Sequence, residues 1–84
     1  MTAKLRAILA ANIRFYRKEL GLTQEQLAVK CKMHDNYISK VELSKVSVGV
    51  DNIERLAKTL KIEPHLLLIP ASNREETKNP RDHH

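Results

Sequence analysis

The chain has 84 residues, 42% of them hydrophobic and 4% aromatic, and its 15 basic and 10 acidic side chains give a formal net charge of +5. That length suits one domain near the lower limit for a self-sufficient core, so a second copy of the chain is an economical source of extra burial, and the basic balance suits a polyanionic partner. The N-terminal run LRAILAANI is too short to span a membrane and is followed at once by Arg14, Arg17 and Lys18, so neither a membrane segment nor a signal peptide is expected.

In chain order, the periodicity predicts a first helix over residues 3–20, with Leu5, Leu9, Ile13, Tyr16 and Leu20 along one face. Gly21 stops it. Leu22 is apolar, Thr23 is a good N-cap, and Gln26 three residues later completes a capping box, which opens a second helix over residues 24–31. After a turn of about three or four residues, His34 or Asp35 caps a third helix. On it Ile38 and Val41 point one way, while Asp35, Asn36, Ser39, Lys40 and Leu43 share an arc of about 140° on the other side. A fourth helix is expected over residues 50–60 and a fifth over residues 64–68, the latter opening on Pro64 at a favourable first-turn position. No strand is expected, so the fold class is all-α with five helices. Residues 1–70 form the domain, and residues 71–84 read as a polar, disordered tail.

Two short helices around a turn, the second with an inner apolar edge and an outer edge of hydrogen-bonding groups, fit the major groove of duplex DNA. The lone Cys31 rules out an internal disulfide and fits a reducing cytoplasm. Cys31 with His34 is half a metal site by spacing only, and His83 and His84 are assigned no metal role. No constellation of nucleophile, base and phosphate loop is present, so an enzyme is not expected.

The residues resemble the Cro/CI-type (XRE-like) helix-turn-helix regulators. The likeness rests on Ile13-Arg14 with Arg17, on Gly21-Leu22-Thr23-Gln24-Glu25-Gln26-Leu27-Ala28, on Tyr37-Ile38-Ser39 with Glu42, and on Asn52-Ile53 leading to Leu56-Ala57-Lys58 and Leu60. It covers roughly residues 9 to 69 without insertion. Within the family the chain looks most like the controller proteins of restriction-modification systems. The resemblance implies a compact, five-helix, lambda-repressor-like domain that binds a double-stranded DNA operator and regulates transcription in the cytoplasm.

It also implies roles. Asn36, one turn before Lys40, stands where the family contacts bases; Asn pairs with adenine and Lys with guanine or phosphate. Asp35 and Ser39 share that face and complete the candidate base readers. Gln24, at the N-terminus of the second helix, matches a glutamine that the family places on a phosphate. Tyr37, Arg14, Lys45 and Asn12 are further phosphate candidates. Arg17 and Glu42 match a pair that braces the first helix against the third.

Four positions depart from the family pattern. Lys32 stands where glycine is usual, so a left-handed backbone would cost roughly 1 kcal/mol there or the turn would be reshaped. Leu43-Ser44 replaces Arg-Gly, and Gly49 replaces a capping serine. The run Leu66-Leu67-Leu68-Ile69 is more apolar than one short helix needs, and its surplus is expected to seal a homodimer, with Phe15 as a further contact. A symmetric pair predicts a roughly palindromic operator. RNA polymerase is a further candidate partner; no cofactor or small-molecule ligand is expected. The alternatives are a phage-type repressor, or an antitoxin or adaptor that uses this fold to grip another protein.

Overall fold

Five helical segments follow one another in the computed structural model: α1 Ala3–Glu19, α2 Gln24–Cys31, α3 Asp35–Glu42, α4 Val50–Leu60 and a 3₁₀ helix, Pro64–Leu68. The structure describes residues 1–74, among which all regular structure is helical. The expected boundaries stand except at two points. Leu20 is the exposed C-cap of α1 rather than its last helical residue, and the fifth segment winds as a 3₁₀ helix.

Local chemistry explains where the helices begin. The Thr2 hydroxyl accepts from the Leu5 amide at 3.1 Å and caps α1. At α2 the capping box is closed: the Gln26 amide donates to Thr23 Oγ1 at 3.0 Å and the Thr23 amide donates to Gln26 Oε1 at 2.8 Å. α3 starts differently. His34 is the N-cap without a side-chain bond, and the Asp35 carboxylate instead takes the Asn36 amide at 2.8 Å, adding negative charge where the helix dipole favours it.

The helix ends share one device. A residue at positive φ follows each of the four α-helices, namely Gly21 (69°), Lys32 (60°), Ser44 (62°) and Lys61 (62°). The next amide then reaches back five residues, Leu22 to Arg17, Met33 to Ala28, Lys45 to Lys40 and Ile62 to Ala57, at 2.9–3.1 Å. Three of the four positions hold side chains where glycine would be cheapest. Lys32 therefore keeps the left-handed turn, which is not reshaped. Met33 and Ile62, directly after two of these positions, pack on the core and favour the geometry hydrophobically.

The core gathers around α1. Leu9, Ile13, Leu27, Ile38, Leu56 and Leu67 are fully buried, drawn from all five segments, and α1 packs on α3, α4 and the 3₁₀ helix. Leu66 and Leu67, expected at a dimer seam, are corrected to this core, because the tight 3₁₀ winding turns both inward against α1 and α4. The proposed disordered tail also needs correction at its start. Residues 71–74 are helical, and Arg74 lies against α1, its guanidinium 3.9 Å from the centre of the Phe15 ring and bonded through Nη2 to Asn12 Oδ1. Phe15 is thus covered within the chain. The remainder of the tail, including His83 and His84, lies outside the described residues.

Candidate nucleic-acid interface

α3 turns Ile38 and Val41 fully inward, so the opposite side of a helix with 3.6 residues per turn must face solvent. Asp35, Asn36 and Lys40 are exposed there, Ser39 is half-buried, and Leu43 at the C-terminal edge is 59% exposed. The structure thus brings the four candidate base readers onto one free face. No hydrogen bond is made by the Asn36 side-chain amide or the Lys40 ammonium among the described residues, so their donors are open to a ligand; the one bond Asn36 makes from its own N–H is that of its backbone to Asp35.

What fixes this face is a carboxylate that accepts three bonds. Arg17 Nε donates to Glu42 Oε2 at 2.6 Å and Arg17 Nη2 to Glu42 Oε1 at 2.9 Å, a two-pronged bond between α1 and the last residue of α3. Gln24 Nε2 adds a third contact to Glu42 Oε1 at 3.1 Å. Arg17 Nη1 donates to the carbonyl of Leu22 at 2.8 Å, which ties the entry to α2 into the same knot. Both charged side chains are nearly enclosed, at 10% and 4% exposure, so each needs the other. Gln24 is therefore engaged inside the protein, half-buried at the head of α2, rather than standing free. Its backbone amide still sits at the N-terminal end of α2, where orphan donors attract an anion.

Tyr37 is also half-buried and held. Its hydroxyl accepts from Asn52 Nδ2 at 3.2 Å, which joins α3 to α4 and leaves the phenolic proton available to an acceptor. Arg14 and Lys45 are exposed, one on α1 and the other just past α3. Asn12 does not belong with them. It is fully buried, and its amide nitrogen donates to the carbonyls of Leu67 and Ile69, both at 2.7 Å. Both of its N–H groups are spent on carbonyls at the C-terminal end of the 3₁₀ helix, so Asn12 is corrected from phosphate contact to internal anchor. A signal for this was present: Asn12 falls on the buried stripe of α1 with Leu9, Ile13 and Tyr16, where a polar side chain needs a partner. Asn52 belongs to the family likeness, and its bond to Tyr37 follows only from the fold.

Around the opposite end of α2, Cys31 is buried and its thiol is pushed above the ordinary value, by burial first, against a hydrogen bond from Thr59 and the charge of Arg55. Among the described residues no group of three His, Cys, Asp or Glu side chains is placed to hold a metal ion. No helix among them is long and apolar enough to cross a membrane.

Against known proteins, the family model described as helix-turn-helix matches residues 13–67. A Neisseria meningitidis serogroup B protein called a hypothetical transcription factor is 39% identical over 70 residues, which is 83% of this chain and 66% of that protein's length. The crystal structure of a hypothetical transcription factor from Neisseria superposes with a TM-score of 0.84 at 35% identity, covering 92% of this chain and 90% of that one. The control protein C.BamHI of Bacillus amyloliquefaciens is 36% identical over 69 residues, 81% of this chain and 85% of that protein. The restriction-modification controller protein C.AhdI of Aeromonas hydrophila has a similar structure, with a TM-score of 0.71 at 34% identity over 74% of this chain and 94% of that one.

Proposed function

This chain belongs to the helix-turn-helix family, and from that premise we propose that it regulates transcription by binding a double-stranded operator as a homodimer. The family is one of DNA-binding proteins, not enzymes. The observation that carries the reading is the free polar face of α3, Asp35, Asn36, Ser39 and Lys40, on a helix locked to α1 by Arg17 and Glu42. A rigid reader loses little conformational freedom on binding. Asn36 and Lys40 carry base readout, with Asp35 and Ser39 beside them. The amide end of α2 at Gln24, the Tyr37 hydroxyl, Arg14 and Lys45 supply phosphate contacts, which set register without reading sequence.

Leu68, 38% exposed, and the half-buried Ile69 are what remains of the apolar edge for a second copy after Leu66 and Leu67 enter the core. A two-fold pair built there predicts a palindromic operator with half-sites about one turn of DNA apart. The likeness to C.BamHI and C.AhdI supports the narrower role of a controller protein in a restriction-modification system, acting in the cytoplasm through its own promoter, with RNA polymerase as a further partner. Control then follows protein concentration through dimerisation.

The test is a gel-shift titration against DNA upstream of the chain's own gene, with unrelated duplex as competitor and salt varied, and with sedimentation run alongside. Preferential, steeply salt-dependent binding by a dimer, weakened by Asn36→Ala and by Lys40→Ala, is the expected result. Salt-insensitive capture of a protein partner and no preference for any duplex would overturn it.

A further inference from the structure

Away from α3, the fold makes a second cationic site. Lys30 and Lys32 from the C-terminal end of α2, and Arg55 and Lys58 from α4, line one open cleft of about 830 Å³ floored by Cys31 and Thr59. Lys61 borders the adjoining depression together with Lys30 and Thr59. A cation at the C-terminal end of a helix is favoured by the dipole, which accounts for Lys30 on α2 and Lys58 on α4 taken singly. It does not account for both helices delivering their cations into one cleft, where like charges repel.

No acid lines the cleft. Asp51 and Glu54 stand about one turn earlier on α4 and border a separate depression with Arg55 and Lys58. Among the described residues none of the four cations takes part in an ion pair. The walls carry no aromatic or large apolar side chain either. That argues against a protein partner, whose interface core needs such anchors, and against an enclosed small-molecule site. An open groove of lysine and arginine without stacking groups matches a phosphate backbone, bound by counterion release and blind to sequence.

We infer that the cleft of Lys30, Lys32, Arg55 and Lys58 binds the phosphate backbone of duplex DNA without reading its sequence, at a surface separate from α3. The separation is geometric. The cleft sits at the C-terminal end of α2, one helix length of roughly 12 Å from the Gln24 end that faces phosphate in the operator-binding reading. This second surface holds the protein on DNA outside the operator.

The experiment uses a generic 30-base-pair duplex, so it stands whether or not an operator is identified. Its arms are the natural chain, the cleft variant Lys30→Gln/Lys58→Gln, and a charge-matched control, Lys4→Gln/Lys18→Gln, with exposed lysines changed on α1. Affinity is measured by anisotropy across a salt series. The cleft variant should lower the slope of log affinity against log salt by about 2, one step for each lost phosphate contact, with the control unchanged. Equal loss in both variants would reduce the effect to net charge and overturn the site, as would no loss in either. Unchanged duplex binding together with lost binding of poly-glutamate would also overturn it, in favour of an acidic polypeptide. An Asn36→Ala/Lys40→Ala arm separates the two claims: it should abolish operator preference and leave the effect of the cleft variant on generic duplex as it was.

Discussion

α1 carries two buried polar side chains, Asn12 and Arg17, and they fasten the ends of two other helices by different chemistry. Arg17 grips a carboxylate at the end of α3, whereas Asn12 grips two backbone carbonyls at the end of the 3₁₀ helix. The first anchor is ionic and holds the reading face. The second is neutral and holds the apolar edge with Leu68 and Ile69, as well as Arg74. A buried charge left without its partner costs more than a buried amide left without one, so the two ends should differ in how they fail.

The largest effect expected is at the ionic anchor. Arg17→Ala strands the Glu42 carboxylate at 4% exposure and should cost on the order of 3–5 kcal/mol in urea unfolding. The double variant Arg17→Met/Glu42→Leu should recover most of that stability, because no charge is then stranded, while operator binding stays weak because the reader is no longer braced. If Arg17→Ala unfolds like the natural chain, the contrast between the anchors fails.

Asn12→Ala comes next. Two carbonyls lose their donor, for a cost of about 2 kcal/mol, and the loss should be local. Hydrogen exchange should speed up at amides 66–69 before those of α3 change, and dimerisation should weaken more than generic duplex binding. Uniform loss of protection along the chain would mean that the two ends are not held independently.

The smallest effect sharpens the comparison on the reader's side. Lys32 holds the turn between α2 and α3 at φ 60°, so Lys32→Gly should stabilise the chain by roughly 1 kcal/mol without moving α3. A rise in thermal midpoint with unchanged operator affinity is the expected pair of readings. A fall in the midpoint would show that contacts of the lysine stem outweigh backbone strain.

Much of the fold could be read along the chain because its signals are local. Thr23 with Gln26 announces the start of α2, Pro64 opens the fifth segment, and the spacing of Ile38 and Val41 orients α3. The Arg17–Glu42 pairing was reached only through family resemblance, since 25 residues separate the partners and nothing local couples them. The place of Asn12 on the apolar stripe with Leu9, Ile13 and Tyr16 signals burial, but nothing local names its partner, which is 55 residues away. Leu66 and Leu67 were misread because a run of four apolar residues carries no period from which an inward face can be chosen.

By itself, then, the sequence determined the helices, their caps and the polar face of α3, all set by interactions within about four residues. The tertiary structure decided which polar residues became anchors, which leucines were spent on the core, and that the basic ends of α2 and α4 share one cleft. Those outcomes depend on groups far apart in the chain meeting in space, and no local propensity encodes such a meeting.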